Sequence, residues 1–211
     1  MDIFCLDTSE FKSIKSDLTP YLSALRHSKV QSIVDCDCKV QSIGVELALC
    51  VAVRHIDSGA TIPVSYYYDK CGKPVLSDYP NFNISFSHTS GMSVVAIGGS
   101  FVGVDIEKRK EINPKFADRM LNGAELKEYQ LLNEDKKRRF ILDSFVKKES
   151  FVKATGEGLT KFPCKISLPK EAKTHIFDIV DDKFVVAVTT LKEESVNIHL
   201  LSVARVLKVL E

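Results

Sequence analysis

The run Val102-Gly103-Val104-Asp105-Ile106-Glu107 sets two carboxylates two positions apart in an apolar stretch. In an extended strand that spacing sends Asp105 and Glu107 to the same face. Two like charges so placed repel unless a cation, a basic partner or water separates them. The pair reads either as part of a hard-cation site or as the solvated end of an exposed strand. Farther on, Glu149 and Lys153 stand four apart in Lys148-Glu149-Ser150-Phe151-Val152-Lys153, on one helical face. Alone, that is an ordinary ion pair of about 0.3–0.5 kcal/mol. Taken together, Asp105, Glu107 and Glu149 can give Mg²⁺ three oxygen ligands and leave octahedral positions for water and phosphate.

Ser85-Phe86-Ser87-His88-Thr89 closes a strand with hydroxyls around one imidazole, groups able to hydrogen-bond an anionic phosphate. A single strand histidine is more often a structural or surface residue. Ser87 directly precedes His88, so their side chains point to opposite faces, and no Gly-x-Ser-x-Gly elbow occurs; a serine-hydrolase triad is set aside. The glycine-rich loops of P-loop and dinucleotide-binding proteins are missing too. Any phosphate must therefore be held by side chains and metal. Asp69-Lys70-Cys71-Gly72-Lys73-Pro74 is turn chemistry, tight enough for its backbone to approach a ligand closely.

Elements must carry these residues. Helical spacing of apolar residues runs over 20–55, clearest at Ile43, Leu47, Ala48, Val51 and Ile56, and Asp57-Ser58-Gly59 ends it. Strands are expected at 64–69, 83–88, 92–97 and 101–106, the middle two joined as a hairpin through Thr89-Ser90-Gly91. Residues 111–157 are mostly helical with a break at Asn122-Gly123. Strands follow at 165–168, 175–180, 184–190 and 196–201, and a last strand or short helix covers 202–210. The order of helix and then antiparallel strands occurs twice, with a join near 103–110.

The 211 residues are 45% hydrophobic, enough for a sizeable core in one domain or two small ones. Twenty-nine Lys and Arg against 28 Asp and Glu give a formal charge of +1, so no global basic field points to nucleic acid. Six cysteines without a CxxC pair read as free thiols of a reducing compartment. No basic leader and no apolar run near the roughly 18 residues of a membrane span is present, so a soluble cytoplasmic protein without membrane contact is expected.

Four motifs in this order resemble the Sfp-type 4′-phosphopantetheinyl transferases: Gly72-Lys73-Pro74, Ser87-His88, Gly103-Val104-Asp105-Ile106-Glu107, and Lys148-Glu149 with Lys153. The resemblance runs from about 68 to 159. It implies an α+β fold of two similar α/β subdomains with antiparallel sheets, related by a pseudo-twofold axis, with coenzyme A between them. The boundaries would be 1–102, the adenine and 3′-phosphate side, and 103–211, the metal and catalytic side. It further implies that Asp105, Glu107 and Glu149 hold Mg²⁺, or Mn²⁺ in its place, and that Asp105, Glu149 and Lys153 are catalytic, Glu149 as the base. Lys153, Ser87 and His88 would meet phosphate, and Lys73 and Pro74 the adenine end. Arg26, Lys29 and Lys39 are candidates for the 3′-phosphate, with the match loosest over 26–44. Phe145 stands where many relatives have Trp, and keeps an aromatic anchor. The partner would be an acyl or peptidyl carrier protein, served by a monomer. A non-catalytic coenzyme A or carrier-binding module, or a phosphohydrolase using the same acids on water, are the rival readings.

Overall fold

The structure, a computed structural model, describes residues 1–13, 17–110, 112–158 and 162–210. In chain order its main elements are β1 (Asp2–Asp7), α1 (Ala24–Ser32), α2 (Cys36–Ile56), β2 (Tyr66–Tyr68), β3 (Pro74–Leu76), β4 (Asn83–Thr89), β5 (Met92–Gly98) and β6 (Val102–Lys108). Then come α3 (Ala117–Met120), α4 (Gly123–Leu131), α5 (Glu134–Thr155), β7 (Lys173–Ile179), β8 (Phe184–Thr190), β9 (Asn197–Leu201) and α6 (Val203–Leu210). The strands form a six-stranded sheet, β2-β3-β4-β5-β1-β9, and a three-stranded one, β6-β8-β7. All pairings are antiparallel except β1 with β9.

Period-two alternation explains how the layers stack. On β1 and β5, Phe4, Leu6, Val95 and Ile97 face α2, whereas Ile3, Cys5, Val94 and Ala96 pack on Val102, Val104, Ile106, Val186 and Val188 of the second sheet. The other face of β8, Val185 and Ala187, meets Leu142 and Val146 of α5. The result is helix, sheet, sheet, helix. Both sheets are thus covered twice, and β5 and β8 are buried along their whole length. An α+β architecture with antiparallel sheets, each backed by one long helix, agrees with the expectation.

Both long helices have clear chemical starts. Asp35 accepts from the Cys38 amide to open α2, Asn133 accepts from the Lys136 amide to open α5, and Gly156 closes α5 in the left-handed region at φ 76°. Asn122-Gly123 marks the start of α4, where Asn122 and Glu125 form a reciprocal capping box.

Three expectations change. β1 falls at Asp2–Asp7, where the sequence predicts no strand. Residues 165–168 do not form a strand; Pro163, with its fixed φ, opens a 3-10 turn over Pro163–Lys165 instead. The last elements do not stay with the second sheet: β9 pairs in parallel with β1, and α6 buries Val203, Val206 and Leu210 in the core beneath α2. Residues 197–201 thus complete the edge of β1 that β5 leaves free. All six cysteines are free. Among the described residues no helix is long and apolar enough to cross a membrane.

Candidate active site

β6 is an edge strand of its sheet, and β4 lies beside that free edge. The Val104 amide donates to Ser85 Oγ at 3.0 Å, and Ser87 Oγ donates to Asp105 Oδ1 at 2.7 Å. Ser85 and Ser87 share a face of β4, opposite Ile84 and Phe86, which belong to the core with α2. Helix α5 lies directly on the β6 backbone at Gly103, where a β-carbon would come within 1.9 Å of the Ser150 carbonyl oxygen. That approach lets Lys153 Nζ donate to both Asp105 Oδ1 (2.7 Å) and Ser87 Oγ (2.8 Å). Three separate sequence motifs thus meet at one ammonium group. Lys153 turns across to Asp105 and does not form the within-helix pair with Glu149 that its spacing allows.

The acids carry a surplus of negative charge. Glu149 is buried, and desolvation together with Asp105 and, more weakly, Glu107 pushes its carboxyl up to about 7 against the opposing pull of Lys153. Burial and Asp105 also raise Glu107. Asp105 Oδ2 and Glu149 Oε1 are buried with no hydrogen-bond partner. Among the described residues the three carboxylates do not bring one oxygen each within 4.8 Å of the others. The donor set nonetheless fits a hard dication: oxygen ligands only, two of them orphaned, in a field already too negative for one more carboxylate.

A cleft of about 490 Å³ opens beside this cluster. Arg26, Lys29, Lys73, Pro74, Ser87, His88 and Lys153 all line it, as does Glu149, while Asp105 lies behind Ser87 and Lys153. Lys39 is not among the lining residues. Lys73 reaches the open end of α5, donating to the Ala154 carbonyl at 2.9 Å, with its ammonium 5.1 Å from the Phe101 ring centre. Arg26 is buried and committed: Nε pairs with Glu46 at 3.1 Å and Nη1 donates to Ser42, but Nη2 has no partner. His88 Nδ1 lies 2.8 Å from Gln41 Oε1. Burial, then Lys29, Lys153 and Arg26, hold the His88 imidazole below its usual range, a bias that an arriving anion would reverse.

Gln41 and Glu46 were missed in the sequence, and Ser85 was grouped with Ser87 and His88 without its contact to the Val104 amide. Gln41 and Glu46 stand in a long apolar helix face with no local signal; Ser85 shares Ser87's face by period two, and that signal was available.

Glu149 is held well above the ordinary Glu value in the folded state, so the folded chain binds more protons than the unfolded one between about pH 4.5 and 7. Stability should fall as pH rises through that window and level off above it. In urea titrations with EDTA, Glu149→Gln is expected to be more stable than the parent by about 1–3 kcal/mol at pH 8, with the difference closing toward pH 4. A difference independent of pH would remove the assignment.

Residues 101–196 match the model of the 4′-phosphopantetheinyl transferase superfamily. The 4′-phosphopantetheinyl transferase psf-1 of Bacillus pumilus is 29% identical over 111 residues, covering 51% of this chain and 48% of that protein. The 4′-phosphopantetheinyl transferase ffp of Bacillus subtilis is 33% identical over 89 residues, 42% of this chain and 40% of that protein. The matches thus span less than half the length of these curated relatives. Among solved structures, the holo-acyl-carrier-protein synthase of Thermotoga maritima overlaps 45% of this chain and 64% of its own, with a TM-score of 0.37 and 25% identity. Asp105, Glu107, Glu149 and Lys153 all lie within the segment 101–196 that is similar to the 4′-phosphopantetheinyl transferase superfamily.

Proposed function

We propose that this chain transfers the 4′-phosphopantetheine arm of coenzyme A to a serine of an acyl or peptidyl carrier protein, releasing 3′,5′-ADP. The observation that carries the reading is the junction of Lys153, Asp105 and Ser87 beside a buried Glu149 whose carboxyl is pushed up to about 7 by desolvation and Asp105. A base poised near ambient pH can take the proton of an attacking hydroxyl, directly or through a water. Glu149 has that role toward the carrier serine, whose oxygen attacks the β-phosphorus as the bond to 3′,5′-ADP breaks. Lys153 and His88 meet the phosphate oxygens, Ser87 orients Lys153, and Lys73 with Pro74 frames the adenine end. Arg26 and Lys29 offer charge to the 3′-phosphate.

Asp105, Glu107 and Glu149 would hold Mg²⁺, or Mn²⁺ in its place, which when bound neutralises charge on the pyrophosphate during transfer. In this reading 1–102 forms the nucleotide side and 103–196 the catalytic side of the cleft. The working form is a cytoplasmic monomer that needs neither membrane nor nucleic acid.

The test is mass spectrometry of apo acyl and peptidyl carrier proteins incubated with the protein, coenzyme A and Mg²⁺. A phosphopantetheine adduct that EDTA prevents is expected. Coenzyme A cleavage without any carrier would favour a phosphohydrolase, and coenzyme A binding without turnover a binding module.

A further inference from the structure

Outside the cleft, one group of side chains has the make-up of a transition-metal site. Asp2 on β1, His55 in the last turn of α2 and His199 on β9 each offer a ligand atom within 4.8 Å of the other two. His199 Nε2 lies 2.8 Å from Asp2 Oδ1, and His55 Nε2 lies 3.8 Å from the same oxygen. The first distance is a hydrogen bond. The second is too long for one, so a simple Asp–His pair leaves the aim of the second imidazole unexplained.

A tetrahedral ion with bonds of about 2.0–2.1 Å requires its ligands about 3.3–3.4 Å apart, and the two observed separations straddle that value. The rings are also held in place. His199 stacks on Phe4 with centroids 4.6 Å apart and planes 11° from parallel, and His55 meets the edge of the same buried ring at 5.5 Å. Parallel pairing of β1 with β9 sets Phe4 opposite His199. Side-chain exposures of 22%, 48% and 24% for Asp2, His55 and His199 leave a path for an ion and room for a water as fourth ligand.

We propose that Asp2, His55 and His199 form a second metal site, selective for a borderline ion such as Zn²⁺ over the hard Mg²⁺. Two imidazoles and one carboxylate match that preference, which an all-oxygen site lacks. The ion would tie the chain's first strand to the end of α2 and to β9, three segments that meet only in the folded state. In the first sheet this position is separated from β4 and its cleft residues by β5.

The test is titration of the metal-free protein with Co²⁺ in excess Mg²⁺, read by visible absorption, followed by Zn²⁺ displacement and thermal melting. One Co²⁺ per chain with the intense bands of a tetrahedral nitrogen-oxygen site is expected, along with a Zn²⁺-dependent rise in melting temperature. His55→Ala and His199→Ala should each weaken binding by at least about tenfold, and Glu149→Gln should leave it unchanged. No tetrahedral spectrum, or one that survives both histidine variants, or one lost in Glu149→Gln, overturns the site.

Discussion

In the proposed transfer, Asp105→Ala is expected to lower carrier modification by at least about 10³-fold while leaving the folded protein nearly as stable as before. Asp105 Oδ1 accepts from both Lys153 and Ser87, so its loss releases the ammonium group that is aimed into the cleft. Oδ2, buried and unpartnered, is the oxygen best suited to a dication, and that is lost as well. The stability balance is smaller because two effects oppose. An ion pair to a partly exposed lysine disappears, and so does the repulsion that raises Glu107 and Glu149. The Glu149 carboxyl should accordingly titrate lower in the variant, which ¹³C NMR of the labelled side chain would show. Activity within tenfold of the parent would exclude Asp105 from the machinery. A collapse of the melting transition would instead make its role structural.

Gly103→Ala should be the most damaging of the glycine-to-alanine changes. Its added carbon would lie 1.9 Å from the Ser150 carbonyl oxygen and 2.3 Å from the Ala154 nitrogen, both backbone atoms of α5. Backbone cannot rotate away as a side chain can, so the helix must lift off β6. Overpacking of this kind costs about 1–3 kcal/mol, and the upper end is expected here because no flexible group can yield. The same displacement would carry Glu149 and Lys153 away from Asp105, so activity should fall more than the loss of folded protein explains. Gly99→Ala is the control: its new methyl meets nothing within 4 Å and should change stability by less than about 0.5 kcal/mol. Equal urea midpoints for the two variants would refute the close helix-strand contact as the constraint.

Some of this protein was legible in one dimension. Alternating Ile84 and Phe86 placed β4, and short apolar runs bounded by turn residues placed β5, β6 and β8, within a few residues, because strands buried on both faces read as continuous apolar runs. Asn122-Gly123 marked a break in the helical stretch, which proves to be the start of α4, and Gly156 marked a helix end, because capping chemistry is local. Asp105, Glu149 and Lys153 stood out because two carboxylates on one strand face and a charged pair on one helix face are spacings that local geometry interprets.

What the residues do to one another was decided only in three dimensions. Lys153 has Glu149 one helical turn away yet turns to Asp105, since the bare backbone at Gly103 brings strand and helix together. The pairing of β1 with β9 joins residues nearly 200 positions apart, and no spacing rule encodes such a match. Asp2, His55 and His199 meet by the same route, as do Arg26 with Glu46 and His88 with Gln41. Sequence by itself determined which chemistries were present and which elements would carry them, since side-chain type and period act over a few residues. The tertiary structure decided which charges share a site, because burial and distance, the quantities that shift Glu149 to about 7, exist only once the layers have packed.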